Sequence, residues 1–328
     1  MHRSIARTLL ALLAAALLAL SAGCGGGAGT GSGSGTRDIA TERGTVAVPA
    51  DPQRVVVLNG ALAGYLYDLD VPVTAADPRL LGVNNRTGEF PEAWAADARA
   101  QGTTALPIGQ SINLELIVAQ QPDLIIGGGQ GFTAQQSIDA YDQLSAIAPT
   151  VLVPASASGW QEQLRLLADV AGRGDRVDGL VAAYRDKVGE VRARIRPPQG
   201  AAAYLQSRRD NTPTVVLPGA ALPSLLAEVG IRADDAVAAK AGNPARSGAA
   251  ADWLEFSPEL LTRVVDAPVV FVVPLNDGRD ATALGADPVY AQLPAFRGGT
   301  VFDLPATSLR PDYRGVMRTL DLIAERFS

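Results

Sequence analysis

Histidine and cysteine are almost absent from this 328-residue chain, which contains one of each. Both stand close to the amino terminus, as His2 and Cys24. Zinc sites are built mainly from imidazole and thiolate ligands, and histidine is the most common general base of enzymes. The rest of the chain therefore has neither the usual ligands for bare zinc nor the residues for Ser-His or Cys-His catalysis. We expect no metal bound directly by the protein, no cofactor and no enzyme activity.

Basic residues are also in the minority. The chain has 28 Lys and Arg against 34 Asp and Glu, which gives a formal net charge of −6. Proteins that bind nucleic acid need a basic surface, so this balance argues against a nucleic-acid partner. A single cysteine also leaves no disulfide to stabilise the fold.

The amino-terminal segment has the layout of a secretory signal. His2, Arg3 and Arg7 precede an apolar run over residues 9–20, which is too short to span a membrane, and Ser21-Ala22-Gly23-Cys24 follows. This end resembles a bacterial lipobox, with Ser21 where leucine is usual, and the resemblance implies that Cys24 is the acylated first residue of the mature chain. Residues 1–23 are then the signal peptide, and residues 24–53 the lipid anchor and a flexible Gly/Ser linker. The alternative is an ordinary signal peptide cleaved nearby, with Cys24 as an incidental thiol.

The remainder alternates short aliphatic runs with helical segments, which is typical of an α/β fold. Strands are predicted at residues 54–58, 123–126 and 151–153, and again at residues 201–206, 214–217, 269–273 and 300–303. Between the two groups, apolar residues spaced three and four apart over residues 175–196 predict one long helix. We expect an N-terminal α/β lobe over residues 54–158, connecting helices over residues 159–198 and a C-terminal α/β lobe over residues 199–328.

The two predicted lobes contain similar sequence motifs. Asn113-Leu114-Glu115 and Ser257-Pro258-Glu259 each open a helix that leads to a buried strand, and each strand ends in a loop. Ligands of open α/β sheets bind beyond the carboxyl ends of the strands. Loops of two facing lobes would form a cleft, and we expect the ligand there.

These motifs resemble a known family. The succession RVVVLNG, NLE and PDLII, the long helix, and the segment from Trp253 through SPELL to FRGGTVF are similar, in order, to the iron-siderophore and cobalamin binding proteins of ABC importers. The resemblance implies two α/β lobes bridged by a single long helix, a ferric siderophore as ligand, and ABC transporter permease subunits as partners. It also implies that Glu115 and Glu259 dock onto the permease. We expect a monomer, anchored by its lipid on the extracytoplasmic face of the cell membrane.

The resemblance implies arginine, aromatic and amide side chains as ligand contacts. Arg246 and Arg310 are additional candidates, whereas Trp94 and Trp253 are assigned to packing. The main candidates follow predicted strands or open the long helical region: Asn59, Asn85, Arg86, Gln130, Phe132, Trp160, Arg208, Arg209 and Arg279.

Several alternatives stay open at this point. Residues 129–134 fit a G-x-G-x-x-A dinucleotide fingerprint, but the acidic residue expected after the next strand is missing. Cobalamin, or haem, would share the fold, the anchor and the docking glutamates. Hydroxamate, catecholate and mixed chelates all suit an arginine-containing cleft, and from the sequence we expect a hydroxamate or mixed-ligand ferric complex. A role in adhesion would leave the paired glutamates and cleft loops unexplained.

Overall fold

The structure, a computed structural model, describes residues 35–328 except 86, 158, 249 and 250. The predicted signal peptide, the lipid-anchor residue Cys24 and the ligand candidate Arg86 lie outside the described residues. The chain divides into two units, residues 1–34 and residues 35–328.

A β-hairpin precedes the first predicted lobe. Strands β1 (Thr36–Thr41) and β2 (Gly44–Pro49) pair in antiparallel register. Ile39 and Val48 are buried in the N-terminal core, and the Arg37 side chain donates to the Val170 carbonyl at 3.0 Å. The linker predicted over residues 24–53 is therefore wrong for residues 36–49, because alternate residues of this segment bury apolar side chains against the lobe.

The N-terminal lobe is a parallel sheet covered by helices on both faces. Its strand order is β5-β4-β3-β6-β7, and every pair is parallel. The strands are β3 (Val55–Val57), β4 (Val73–Ala76), β5 (Thr104–Ala105), β6 (Leu124–Gly128) and β7 (Thr150–Val153). The helices are α1 (Gly60–Asp68), α2 (Ala95–Gln101), α3 (Leu114–Ala119), α4 (Phe132–Asp139) and α5 (Tyr141–Ser145). The sequence did not predict β4 and β5.

Two helices connect the lobes, α6 (Trp160–Ala171) and α7 (Gly174–Arg194). Val177 and Val181 of α7 are buried in the N-terminal core, whereas Tyr184 and Val191 are buried in the C-terminal core. The apolar stripe predicted for the long helix is confirmed, and one helix contributes to both cores.

The C-terminal lobe is a mixed sheet. The order is β10-β11-β9-β8-β12-β13, with β8, β12 and β13 parallel and β9 antiparallel to both of its neighbours. The strands are β8 (Ala202–Ser207), β9 (Thr214–Val216), β10 (Arg246–Ser247), β11 (Trp253–Glu255), β12 (Val269–Pro274) and β13 (Val301–Asp303). The helices are α8 (Ala221–Glu228), α9 (Val237–Lys240), α10 (Leu261–Val264), α11 (Ala281–Gly285), α12 (Pro288–Ala291), α13 (Pro294–Gly298) and α14 (Tyr313–Phe327). Short 3-10 helices span Pro258–Leu260 and Ala306–Ser308.

Helix α14 makes a second link between the lobes that the sequence did not predict. Its apolar face packs in the C-terminal core, while Arg314 in its first turn donates to Asp68 at 2.7 Å and to Asp97 at 2.5 Å in the N-terminal lobe. The overall architecture matches the expected two lobes bridged by a long helix. Because α14 also holds both lobes, large hinge motions are resisted.

Candidate functional site

A cleft of about 1770 Å³ lies between the two lobes. Both walls come from loops that follow the carboxyl ends of parallel strands, where ligands of α/β sheets bind. Among the nine main candidates, Asn59, Gln130, Arg208 and Arg209 line it. Their contacts with a ligand stay a prediction. Their contacts with the protein differ: Asn59 and Gln130 bond to backbone carbonyls, whereas Arg208 pairs with carboxylates and Arg209 is exposed.

Asn59 is a structural brace of the N-terminal wall. It is 2% exposed and caps α1, accepting from the Ala61 amide at 3.1 Å. Its side-chain nitrogen donates to the carbonyls of Gly128 at 2.8 Å and Gln130 at 3.2 Å. Both ends of the amide are thus bonded to protein, and Asn59 holds the loop after β6 against the start of α1.

The glycine-rich loop after β6 is shaped by close backbone packing. Gly128 has φ of 75°, and a Cβ at this position would collide with the Val153 carbonyl of the neighbouring strand. Gln130 follows in the same loop and donates to the Ala155 carbonyl at 2.8 Å. The two glycines of the fingerprint, Gly129 and Gly131, have φ of 78° and 89°, a conformation that favours glycine, so the loop geometry alone accounts for the motif.

The two walls touch at the loop of residues 80–84, which the sequence did not single out. Asn276 donates its backbone amide to the Gly82 carbonyl at 2.9 Å, and the Asn84 side chain donates to Asp277 at 2.7 Å. Leu81 and Val83 of this loop are exposed at 42% and 36% and also line the cleft. The N-terminal wall therefore presents apolar side chains beside a polar contact between the lobes.

Arginines dominate the C-terminal wall. Arg208 follows β8 and pairs with Glu255 at 2.5 Å and Asp210 at 3.1 Å. Arg209 is exposed, and across the described residues its side chain has no ion pair or hydrogen bond. Its guanidinium is the group on this wall most available to a ligand, since a charged donor without an acceptor favours an anion.

Arg310 lies deeper in the same wall. It pairs with Asp252 at 2.6 Å, its guanidinium carbon stands 5.5 Å from the centre of the Trp253 ring, and all three residues are partly buried. Burial lowers the pKa of Arg310 and raises the pKa of Asp252, and in each case the partner's charge opposes the shift. The sequence had assigned Trp253 to packing, but here it lines the cleft.

Four of the predicted ligand contacts do not line this cleft. Asn85 braces its own loop, donating to Pro78 and Glu89 carbonyls, and lines a smaller adjoining pocket. Phe132 is 54% exposed at the start of α4, and its ring lies 5.7 Å from the Arg79 guanidinium.

Trp160 and Arg279 have structural contacts as well. The Trp160 ring packs against Tyr184 at 4.8 Å and Tyr313 at 5.8 Å, where the two cores meet. Arg279 pairs with Asp287, the N-cap of α12, at 2.9 Å. The structure does not bring these side chains to the cleft.

The two glutamates predicted to dock lie at corresponding places on the lobes. Glu115 is in the first turn of α3, and Glu259 follows β11 in the 3-10 helix; both are exposed. Glu259 follows β11, which runs parallel to β8, and Glu115 follows β5, which runs parallel to β4. Each residue therefore lies on the side of its sheet where the strands have their carboxyl ends. Neither carboxylate has a protein partner within the described part of the chain, so both are available to a basic surface. The Asn113 side chain caps α3, accepting from the Leu116 amide, whereas Ser257 makes no side-chain cap bond.

The described residues contain no group of three or more acidic, histidine or cysteine side chains placed to hold a metal ion. In the same part of the chain, no helix combines the length and apolarity that crossing a bilayer requires.

Known proteins resemble the chain over most of its length. The sequence profile of the periplasmic binding protein family matches residues 55–307. The ferric enterobactin-binding periplasmic protein FepB of Escherichia coli O6:H1 is 28% identical over 295 residues, covering 89% of this chain and 91% of that protein.

Solved structures agree in fold. Holo-ViuP superposes with a TM-score of 0.74 at 24% identity, covering 89% of this chain and 95% of ViuP. Staphylococcus aureus SirA, solved with staphyloferrin B, gives a TM-score of 0.68 at 21% identity, covering 89% of this chain and 98% of SirA. At these identities the likeness establishes the two-lobed fold.

Proposed function

This chain belongs to the periplasmic binding protein family, and we propose that it binds a ferric siderophore in the inter-lobe cleft and delivers it to an ABC importer. The observation that carries the proposal is the cleft itself, at the position where the fold family binds ligands and with free and paired guanidiniums on one wall. Its curated relative FepB, similar across nearly the whole chain, is named for binding ferric enterobactin. The role is one of binding and transport rather than catalysis.

The size and chemistry of the cleft support a bulky chelate. At about 1770 Å³ it exceeds the roughly 300–1000 Å³ usual for drug-sized ligands. Arg208 and Arg209 offer planar donors to ligand oxygens, while Leu81 and Val83 offer apolar contact for the rest of the molecule. The chelator itself can fill the coordination sphere of iron, so no protein ligand to the metal is required.

Docking to the permease is assigned to Glu115 and Glu259. Both carboxylates are exposed, unpaired within the described residues and placed beside the cleft on separate lobes. Two separated charges fix the orientation of a partner more than they add affinity. We therefore assign them to complementary arginines on the two permease subunits.

Attachment to the membrane is assigned to lipidation at Cys24. The motif and the Gly/Ser stretch behind it suit a tethered body on the extracytoplasmic side. Incorporation of labelled palmitate by the wild-type chain and its loss in Cys24→Ser would support the anchor. Equal labelling of both chains would contradict lipidation at Cys24.

The binding proposal is tested by calorimetric titration of the purified chain. The panel contains ferric siderophores of several chelate classes, their iron-free forms, cobalamin and haem. We expect saturable binding of a ferric siderophore in the sub-micromolar range, weaker without iron. Tight binding of cobalamin or haem with no siderophore response would overturn the substrate assignment.

The docking proposal is tested by uptake of the radiolabelled ferric complex into cells. Glu115→Ala combined with Glu259→Ala should stop uptake and leave ligand affinity unchanged. Glu89→Ala combined with Glu162→Ala, at two other exposed carboxylates, is the matched control and should transport normally. A large loss of affinity in the docking variant would contradict this assignment.

A further inference from the structure

Loops of the two lobes meet at the cleft and bond to each other. One loop, residues 80–84, follows β4, and the other, residues 275–278, follows β12. The backbone amide of Asn276 donates to the Gly82 carbonyl at 2.9 Å, and the Asn84 side chain donates to Asp277 at 2.7 Å. These four residues all line the cleft, and we call them the clasp. The clasp therefore links the two walls at the cleft itself.

The clasp separates the cleft from a smaller cavity. This second cavity has a volume of about 430 Å³. The residues that line both spaces form the partition between them, and they are Leu80, Val83, Asn84, Pro91 and Asp277. Breaking the clasp and moving residues 80–84 would join the two spaces and widen access to the cleft.

The backbone of the clasp is strained. Asn276 and Asp277 have φ of 46° and 68°, in the left-handed region that residues other than glycine rarely adopt. Gly82 has φ of 75°, and a Cβ there would come within 2.8 Å of Cδ2 of Leu275 in the other lobe. Residues held in such conformations raise the free energy of the state that contains them, and they are common in segments that switch between two states. Opening the clasp lets these residues relax, which offsets part of the loss of the two hydrogen bonds.

Residues 80–84 are the part of this contact that can move. Just before them, the Arg79 amide donates to Asp77 at 2.8 Å, and just after them, the Asn85 side chain donates to two backbone carbonyls at 3.0 and 2.9 Å. Between these two fixed points, the Val83 amide makes a backbone bond of 3.2 Å, at the long end of the range for such bonds. The segment is therefore held firmly at its ends and weakly within.

The lobes themselves have little freedom to swing apart. Helix α7 contributes side chains to both cores, and Arg314 of α14 donates across to Asp68 at 2.7 Å. The loop of the C-terminal lobe is fixed as well, because the Leu275 amide donates to the Ser207 carbonyl of β8 at 2.8 Å. With the lobes and this loop held in place, wider access to the cleft has to come from movement of residues 80–84.

We propose that residues 80–84 form a gate over the cleft, that the clasp holds this gate closed, and that the gate sets the rates at which a ferric siderophore enters and leaves. The inference rests on the proposed function for the nature of the cargo and goes beyond it by assigning a moving part. A gate slows association and dissociation together, because both require the open state. A side chain that only contacts the bound molecule changes mainly the dissociation rate.

Hydrogen exchange of the Asn276 amide measures opening of the gate without any ligand, since this amide is bonded to the Gly82 carbonyl. Asn84→Ala removes the second bond of the clasp, so exchange of this amide, followed by NMR, should become about fivefold faster. Gln135→Ala is the matched control, because Gln135 of the same lobe makes an exposed side-chain bond of the same length, 2.7 Å, to Asp139. In this control the Asn276 amide should exchange as in the wild type. Wild-type exchange in Asn84→Ala would overturn the gate.

A reversible cross-link tests whether the gate controls the passage of cargo. Asn84→Cys and Asp277→Cys are joined by a short bis-methanethiosulfonate reagent in a chain that also carries Cys24→Ser, so that no other thiol is present. Stopped-flow fluorescence then follows binding of a ferric tricatecholate and of a ferric trihydroxamate. For the complex that binds, cross-linking should slow association and dissociation by at least about tenfold each, and reduction should restore both rates.

The control cross-link joins Gln135→Cys to Asp139→Cys and should leave both rates unchanged. Unchanged rates in the cross-linked clasp, or a change confined to dissociation, would overturn the gate. If neither complex binds to the wild type, the proposed function fails, and exchange of the Asn276 amide still decides whether the clasp opens.

Discussion

The two walls of the cleft are built on different principles. On the N-terminal wall the polar side chains Asn59 and Gln130 are bonded to backbone carbonyls, and the groups that remain exposed are the apolar Leu81 and Val83. On the C-terminal wall, Arg209 and the buried nitrogen of Gln206 have no partner among the residues that the structure describes. Among the described residues, the N-terminal wall leaves one buried nitrogen of the cleft lining unpartnered, on Trp94, whereas the C-terminal wall leaves three, on Gln206, Trp253 and Arg310. Substitutions in the first should change stability, and substitutions in the second should change affinity.

The largest effect on stability is expected at Asn59. Asn59→Ala removes the cap of α1 and both bonds to the loop after β6, so we expect a loss of about 3 kcal/mol in the free energy of unfolding. The measurement is urea-induced unfolding followed by circular dichroism. Asn113→Ala removes only an exposed cap from α3 and should cost about 1 kcal/mol. Equal costs at the two positions would mean that the N-terminal wall is not braced as described.

The opposite pattern is expected at Arg209. Arg209→Ala should change the free energy of unfolding by less than about 0.5 kcal/mol and weaken binding of the ferric siderophore by about 1 to 2 kcal/mol. Titration calorimetry and urea unfolding of the same preparation give both values. Arg297→Ala is the matched control, since Arg297 of the C-terminal lobe is also exposed and its side chain has no partner within the described part of the chain. If both variants bind like the wild type, the C-terminal wall does not use this guanidinium.

The smallest effect on stability is expected at Asp68, which pairs with Arg314 where α14 contacts the N-terminal lobe. Burial raises the pKa of Asp68 to about 6, although the nearby Arg314 acts to lower it. Because the folded-state pKa is above the unfolded value, the folded chain binds the proton more readily, and stability due to this group rises as the pH falls from 7 to 5. We expect a rise of about 1 kcal/mol in the wild type that Asp68→Asn lacks. Unfolding free energies of both chains at the two pH values provide the test. A difference between the chains that is the same at both pH values would show that Asp68 does not titrate in this range.

The sequence was a good guide where one segment decides its own structure. The long helix followed from its apolar stripe. The docking role of Glu115 and Glu259, which the family resemblance implies, stays a prediction. The family resemblance was confirmed by the match over residues 55–307.

The cleft was harder to predict because it depends on strand register and side-chain partners. Arg208 and Arg209 were chosen because they follow a predicted strand, and both line the cleft. Arg279 was chosen for the same reason, but it pairs with Asp287 away from the cleft. Gln206 was missed, since only the register with β9 and β11 brings it to the face of Trp253. The hairpin β1–β2 was not predicted, because its alternation of apolar and polar residues is short and directly follows the Gly/Ser stretch.

In the proposed function, the chelator holds iron between the two walls of the cleft. The most direct measurement is anomalous diffraction at the iron absorption edge from crystals grown with a ferric siderophore. We expect one strong peak in the cleft, bounded by Gly129 and Leu81 on one side and by Arg209 and Trp253 on the other. A peak outside the cleft, or a siderophore bound away from the C-terminal wall, would contradict it.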